Sequence, residues 1–297
     1  MISKVFTGES FGAKLYSGTV NMAFIVNMAS GSSGTLLQSS LDFKLGNIVG
    51  RGGYGIVYTL LNRSDIVVKV SSQTNSCRQW SNEYEKIVAA FTSMKAHPLY
   101  QSLTTVKMID VKMFTQEDRT CFMVMERVFR PVYGDCNPKT FNKDSPTLQA
   151  QFGVEDSDLI HKGRGQFIGL RQIKGYLESC PMYQNATVET ICHELGIFIG
   201  LLHFIAKNDG YDIEVFLGRE YVEPRLKVFI ADFDLSEPIT QYDKATISRM
   251  TFCLDAVPYF PSKDNPDLFD RFANAYRSVA KSAGFLQVAD IVLENYD

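Results

Sequence analysis

Residues 45–70 read L-G-N-I-V-G-R-G-G-Y-G-I-V-Y-T-L-L-N-R-S-D-I-V-V-K-V, and no other stretch restricts the fold as strongly. Gly50, Gly52 and Gly55 fall in a G-x-G-x-x-G spacing, with Val57 two residues on. β-prone residues flank the glycines: Ile48 and Val49 before them, Ile56, Val57, Tyr58 and Leu60 after. A polar turn follows at 62–65, and a third β-prone run at 66–70 carries Lys69. The pattern is strand, glycine turn, strand, turn, strand. Because glycine has no Cβ, such a hairpin can bring backbone N–H groups close to phosphate oxygens. A lysine on the next strand can reach the same phosphates as a point charge. Taken alone, the glycine pattern is equally a plain turn between strands. A dinucleotide-binding turn would run from strand into helix and meet an acidic residue about 20 positions later. This one runs from strand into strand, which argues against that reading.

Downstream, residues 79–94 show a helical face of Trp80, Tyr84, Ile87, Val88 and Phe91. Glu83 and Glu85 lie inside it. Ile87 lies one turn below Glu83 on the same face, where it can pack toward the core. Two β runs follow, 103–114 and 121–128. Residues 131–165 turn polar, with prolines, glycines and charges, and read as a long insertion. A short ordered segment resumes near 166. Thr187, with Thr190 as a second candidate, caps a strong apolar helix over 188–206. A strand at 226–231 ends in A-D-F-D, and the tail at 267–296 reads as two amphipathic helices. Residues 1–40, rich in Ser, Gly and Thr, read as a poorly ordered leader.

These pieces, in this order, resemble the protein kinase superfamily. The Gly-rich hairpin and Lys69 match the phosphate-covering loop and third-strand lysine, and C-F-M-V-M-E-R-V at 121–128 resembles the fifth strand and hinge. The resemblance implies that Glu83 pairs with Lys69, makes Met125 the gatekeeper and places the backbone of Glu126 and Val128 against an adenine edge. Residues 201–218 resemble a catalytic loop, with Asp209 at the base and Glu214 five positions on at the metal position. Asp232 matches the metal-binding aspartate of D-F-G. Within the superfamily, 201–261 is most similar to a fungal family of kinase-like domains of unknown function, sometimes labelled zinc-finger-like. In that family's pattern Asp209, Asp212 and Glu214 are all pattern positions.

The resemblance implies an α+β, bilobal protein-kinase-like fold: an antiparallel β N-lobe and hinge over 41–130, then a shortened, mostly helical C-lobe over 166–297. It implies ATP as cofactor with Mg²⁺ or Mn²⁺, Lys69, Glu83 and Asp209 as catalytic residues, and Asp232 and Glu214 as metal ligands. Gly50, Gly52, Gly55, Val57, Lys69, Glu126 and Val128 would bind the nucleotide. The acceptor is a small molecule or a protein. Departures from the pattern support an alternative, a pseudokinase serving as an interaction module. Lys207-Asn208 replaces His-Arg, Tyr211 replaces the loop lysine, Glu214 replaces asparagine, D-F-D replaces D-F-G, and no A-P-E follows. Only 63 positions remain after Asp234, few for a peptide-binding lobe.

Composition sets outer bounds. A net charge of −3 gives no electrostatic case for binding nucleic acid or an anionic membrane. The six cysteines are scattered with no C-x-x-C, so reduced, buried thiols in a cytoplasmic or nuclear protein are expected. No uninterrupted apolar run approaches the ~18 residues of a membrane span, and the apolar piece at 22–29 lacks the basic lead-in of a signal peptide.

Overall fold

The computed structural model describes residues 44–51, 55–71, 77–115, 121–131, 148–156, 166–183, 186–220 and 225–296. The expected leader, Gly52 and most of the expected insertion lie outside the described residues. In chain order, β1 (Leu45–Arg51), β2 (Gly55–Leu60) and β3 (Ile66–Ser71) are followed by α1 (Cys77–Lys95) and the short α2 (Pro98–Gln101). Then come β4 (Val106–Met108), β5 (Val111–Thr115), β6 (Cys121–Glu126), β7 (Leu148–Ala150) and β8 (Gln166–Ile168). α3 (Leu170–Ser179) and α4 (Val188–Gly200) follow, and α4 continues into a π-helical turn at Leu201–Ile205. The hairpin of β9 (Glu214–Arg219) and β10 (Leu226–Ala231) precedes α5 (Lys244–Asp255), α6 (Pro266–Ser282) and α7 (Leu286–Asn295).

The fold is α+β, built on two five-stranded sheets. The first has the order β1-β2-β3-β6-β5, and every pairing in it is antiparallel. Its β-branched and aromatic residues suit a pleated, half-buried surface, and Leu60, Val68, Phe122 and Val124 form a small core. α1 buries Trp80, Ile87, Ala90 and Met94, a spacing that keeps all four on one face, and it packs against β5 and β6.

The second sheet, β4-β10-β9-β7-β8, is mixed: β10 runs parallel to β4 and antiparallel to β9, and β7 runs antiparallel to β9 and parallel to β8. This sheet departs from the expectation of a mostly helical second half. Its hairpin β9–β10 is visible in the sequence, but β4, β7 and β8 have three residues each, too few for an alternating pattern to register. The β run expected at 103–114 is in fact two strands in different sheets. Residues 109 and 110 make the crossing: the Ile109 amide donates to the Ile230 carbonyl at 3.0 Å, and the Asp110 carbonyl accepts from the Glu126 amide at 2.9 Å.

The larger core gathers around α4. Thr187 caps it by accepting from the Thr190 amide. Glu194 is buried, and its two oxygens accept from the amides of Thr104, Thr105 and Val106 and from both threonine hydroxyls at 2.6–3.0 Å. Burial opposes that charge, but these hydrogen bonds outweigh it and hold the carboxyl below its usual range. The carboxylate thus anchors the start of β4 to α4. Val188–Ile205 is long and apolar enough by composition to cross a membrane, yet 78% of it is buried inside the protein, as befits a core helix. One thiol expectation is corrected: Cys192 and Cys253 are free and buried, whereas Cys180 is disulfide-bonded.

α6 lies against α4 at the closest approach backbones allow. A Cβ at Gly196 would stand 2.2 Å from the Phe272 carbonyl oxygen, and one at Gly200 would stand 2.8 Å from the Val279 Cβ. Replacing an interior helical glycine by alanine ordinarily stabilises by about 0.5–1 kcal/mol. Here the sign reverses, because a backbone carbonyl cannot step aside. Gly196→Ala is expected to destabilise by roughly 1–3 kcal/mol, read as a lowered melting temperature. A melting temperature equal to or above the parent's would show that α6 is not held this close.

Candidate functional site

The pairing of β3 between β2 and β6 sets Lys69 opposite Val57 on one side and Met123 on the other. Its side chain is largely buried. α1 brings Glu83 to it, with Lys69 Nζ 3.4 Å from Glu83 Oε1. Glu83 is buried, while Glu85 faces solvent. From the second sheet, Asp232 follows the last residue of β10 and places Oδ1 3.8 Å from the same ammonium. Glu214 opens β9 and pairs opposite Ala231, so it shares that end of the hairpin with Asp232. The structure therefore brings Lys69 and Glu83, from consecutive elements, together with Asp232 and Glu214 from the distant β9–β10 hairpin.

The glycines divide by function. A Cβ at Gly55 would lie 2.9 Å from the Trp80 ring and 2.9 Å from the Val70 carbonyl, so Gly55 is required by packing. At Gly50 an added Cβ would meet only the Val57 side chain, at an ordinary 3.7 Å. Among the described residues no contact requires glycine there. Trp80, fully buried, also stands 5.7 Å from Lys69 Nζ, a cation–π distance.

The charges do not balance. Burial acts to lower Lys69, but the carboxylates of Asp232, Glu83 and Asp234 outweigh it and hold the ammonium above its usual range. Burial pushes Glu83 up to about 7 against the pull of Lys69, and Asp232 and Asp234 add to the push. Glu214 rises to about 7 through burial, with Asp232 and Asp212 adding to it. Asp232 is raised by burial, opposed by Lys69 and assisted by Asp234 and Asp212. Burial is the main reason that Glu83, Glu214 and Asp232 rise; the crowding of carboxylates around Lys69, among the described residues, adds to that rise and raises the lysine. Asp232 also occupies the left-handed backbone region, at φ 61°, as does Asp212 at 65°. Non-glycine residues in that region are concentrated at functional sites.

These features suit a divalent cation. Asp232 Oδ1 is buried without a hydrogen-bond partner, and a second positive charge would relieve the mutual repulsion of the acids. Among the described residues no group of three or more His, Cys, Asp or Glu side chains could hold a metal alone. Mg²⁺ usually takes one or two carboxylates and completes its shell with waters and substrate phosphates, so Asp232 and Glu214 suit an ion shared with a phosphate ligand.

Asp209 has a different set of partners. It is buried, and Oδ1 accepts from the amides of Tyr211 at 3.1 Å and Glu237 at 2.8 Å. Its Oδ2 is held by Arg249 Nε from α5, whose Nη2 also donates to the Leu235 carbonyl at 2.9 Å. The Arg249 guanidinium lies over Tyr211, which in turn stacks on Phe252 at 4.6 Å. His203 contacts the Asp209 carbonyl through Nε2 at 3.1 Å and the Tyr276 hydroxyl through Nδ1 at 2.8 Å. At the segment read as a hinge, the Glu126 amide is already donated to Asp110 and its carboxylate is tied to Lys107 at 2.9 Å. Val128 lies between Arg127, whose amide bonds Asp65, and Phe129, whose amide bonds Arg219. The segment thus bridges the two sheets.

Sequence reasoning missed Arg249, Gln149 and Lys86. Gln149 is buried on β7 beside Glu214 and opposes the rise of its carboxyl, and Lys86 Nζ donates to the Asp234 carbonyl at 3.1 Å. Lys86 was legible in principle, one turn beyond Glu83 on the same helix face. Arg249 and Gln149 carry no local signal. The chain matches no family model, and no curated protein matches it.

Two outcomes are expected. Asp232→Asn removes one of the crowded charges, and asparagine tolerates the left-handed backbone. Without divalent ions the variant should melt at or slightly above the parent temperature; a lower melting temperature would make Asp232 a structural carboxylate. The second concerns His203, which burial holds at about 4. Its folded value lies below its ordinary one near 6.5, so the unfolded chain binds the proton first. Its contribution, about 3 kcal/mol, is complete above pH 6.5 and is lost as pH falls toward 4. Glu83 and Glu214 act oppositely, stabilising the fold as pH falls from about 7 toward 4.5. Relative to the parent, His203→Gln should therefore gain melting temperature between pH 7 and pH 5. Parallel pH profiles would show that His203 titrates normally.

Proposed function

We propose that the chain is a divergent, bilobal protein-kinase-like nucleotide-binding protein acting as an ATP- and metal-dependent phosphotransferase. The observation that carries this reading is the meeting of Lys69 with both Glu83 and Asp232, at 3.4 and 3.8 Å. A strand lysine, a helix glutamate and a strand-end aspartate from separate elements converge beside a glycine hairpin, in the order the sequence resemblance requires.

In this reading Lys69, oriented by Glu83, holds nucleotide phosphates, and the hairpin of Gly50, Gly52, Gly55 and Val57 covers them. Because the Glu126 amide is already spent, its contact to an adenine edge would use the carbonyl, with the Val128 backbone beside it. Asp232 and Glu214 would hold Mg²⁺ or Mn²⁺, which when bound neutralises phosphate charge. Asp209 would orient the hydroxyl of a small-molecule or protein acceptor.

A second reading, a pseudokinase serving as an interaction module, is favoured by one specific observation. Both oxygens of Asp209 are engaged, by two backbone amides and Arg249. A carboxylate so held has neither oxygen free to turn toward an acceptor hydroxyl.

Melting curves with ATP, with and without Mg²⁺ or Mn²⁺, test the proposal. A ligand at a hundred times its Kd stabilises the native state by about 2.7 kcal/mol. ATP is expected to raise the melting temperature, and to raise it further with the metal. Lys69→Met should weaken ATP binding about tenfold or more by calorimetric titration, in line with the loss of a charge-assisted contact. A metal-independent shift without phosphoryl transfer would favour the second reading, and the absence of any shift would overturn nucleotide binding.

A further inference from the structure

The segment that carries Asp232 is held from α1 at two points one helical turn apart. Glu83 reaches it through Lys69, whose Nζ lies 3.4 Å from Glu83 and 3.8 Å from Asp232. Lys86, three residues on and therefore on the same face of the helix, donates from Nζ to the Asp234 backbone carbonyl at 3.1 Å. Between these two holds the backbone at Asp232 is left-handed, at φ 61°. The buried Phe233 ring fixes the segment from below, and the Ser236 hydroxyl closes it by donating to the Phe233 carbonyl at 2.9 Å. A left-handed aspartate is a minority conformation that persists only where its surroundings over-determine it. Lys86 supplies the contact that comes from the other sheet's helix.

We propose that Lys86 is a positioning residue: by pinning the Asp234 carbonyl to α1 it keeps α1 docked and sets the angle at which Asp232 faces the phosphate site. The metal-binding half of this proposal rests on the nucleotide-site reading above; the docking half does not. The hydrogen bond comes from a charged donor and is half-buried, the class worth more than a neutral surface contact. A backbone acceptor also makes the contact independent of which side chain stands at 234. Lys86 acts on Asp232 through the main chain and need not touch a ligand.

The protein contains its own reporter. Its single tryptophan is Trp80, in α1, fully buried and packed where Gly55 leaves room for its ring. If α1 loses its pin, Trp80 becomes accessible. Acrylamide quenching of Trp80 fluorescence and calorimetric titration with Mg²⁺-ATP are measured on the full chain for the parent, Lys86→Met and Lys86→Arg, with circular dichroism to show that each is folded. For Lys86→Met the expected results are a quenching constant at least twice the parent's and Mg²⁺-ATP affinity lower by about tenfold. Lys86→Arg, which can still donate to a carbonyl, is expected to restore both. Unchanged quenching would overturn the proposal, whatever happens to affinity, because Lys86 would then act without holding α1. Raised quenching with parental affinity would overturn the coupling to Asp232. A parent that binds no Mg²⁺-ATP would instead remove the nucleotide reading, and quenching alone would then decide whether Lys86 pins α1.

Discussion

One ammonium between two carboxylates joins the two sheets at the candidate site. Lys69 belongs to the first sheet, Glu83 to the helix packed on that sheet, and Asp232 to the end of a strand in the second sheet. The two acids could not share this space without a cation between them, because burial already pushes both of them up. Lys69 satisfies them only in part, and the excess negative charge extends to Asp212, Asp234 and Glu214. A ligand that brings a divalent cation would complete the balance. On this account the carboxylates gathered near Lys69 mark the proposed nucleotide site.

The loop at 207–213 follows a different logic. Its aspartate, Asp209, is neutralised internally by Arg249 and two amides, and its backbone is tied to the buried His203. Arg249 also binds the Leu235 carbonyl, so one side chain on α5 locks the loop to the segment after Asp234. This gives the loop a rigid form without a basic residue at the position before Asp209, which holds Asn208. The same lock is what separates the two functional readings. An Asp209 that orients an acceptor must do so with Arg249 attached or after releasing it, whereas a purely structural Asp209 need never let go.

Much of this was legible in the sequence, and the reasons for the misses are physical. Strands β1 to β3 announced themselves because alternation and turn residues are local signals, and the ion pair of Lys69 with Glu83 was suggested by the kinase resemblance, with helix periodicity choosing Glu83 over Glu85. The two helices near the C-terminus were readable for the same reason. Beyond its β9–β10 hairpin the second sheet was not, since β4, β7 and β8 have three residues each and carry no period, and β4 pairs with the distant β10. The split at residues 109 and 110 was hidden because both flanking strands are apolar. Arg249 was hidden because 40 residues separate it from Asp209, and an arginine on a helix ordinarily reads as a solvated one. The glycines were the subtlest case: identical in sequence, they separate in the structure into Gly55, which Trp80 requires, and Gly50, which no contact among the described residues requires.

The claim on which the rest depends is that the carboxylates beside Lys69 form a metal and phosphate site. A crystal of the protein grown with Mn²⁺ and a non-hydrolysable ATP analogue tests it most directly, through the anomalous signal of manganese. The account predicts a peak at bonding distance, about 2.0–2.2 Å, from carboxylate oxygens of both Asp232 and Glu214, with phosphate oxygens completing the shell and Lys69 on the phosphates. Analogue and manganese bound elsewhere, with Lys69 still between Glu83 and Asp232, would contradict it.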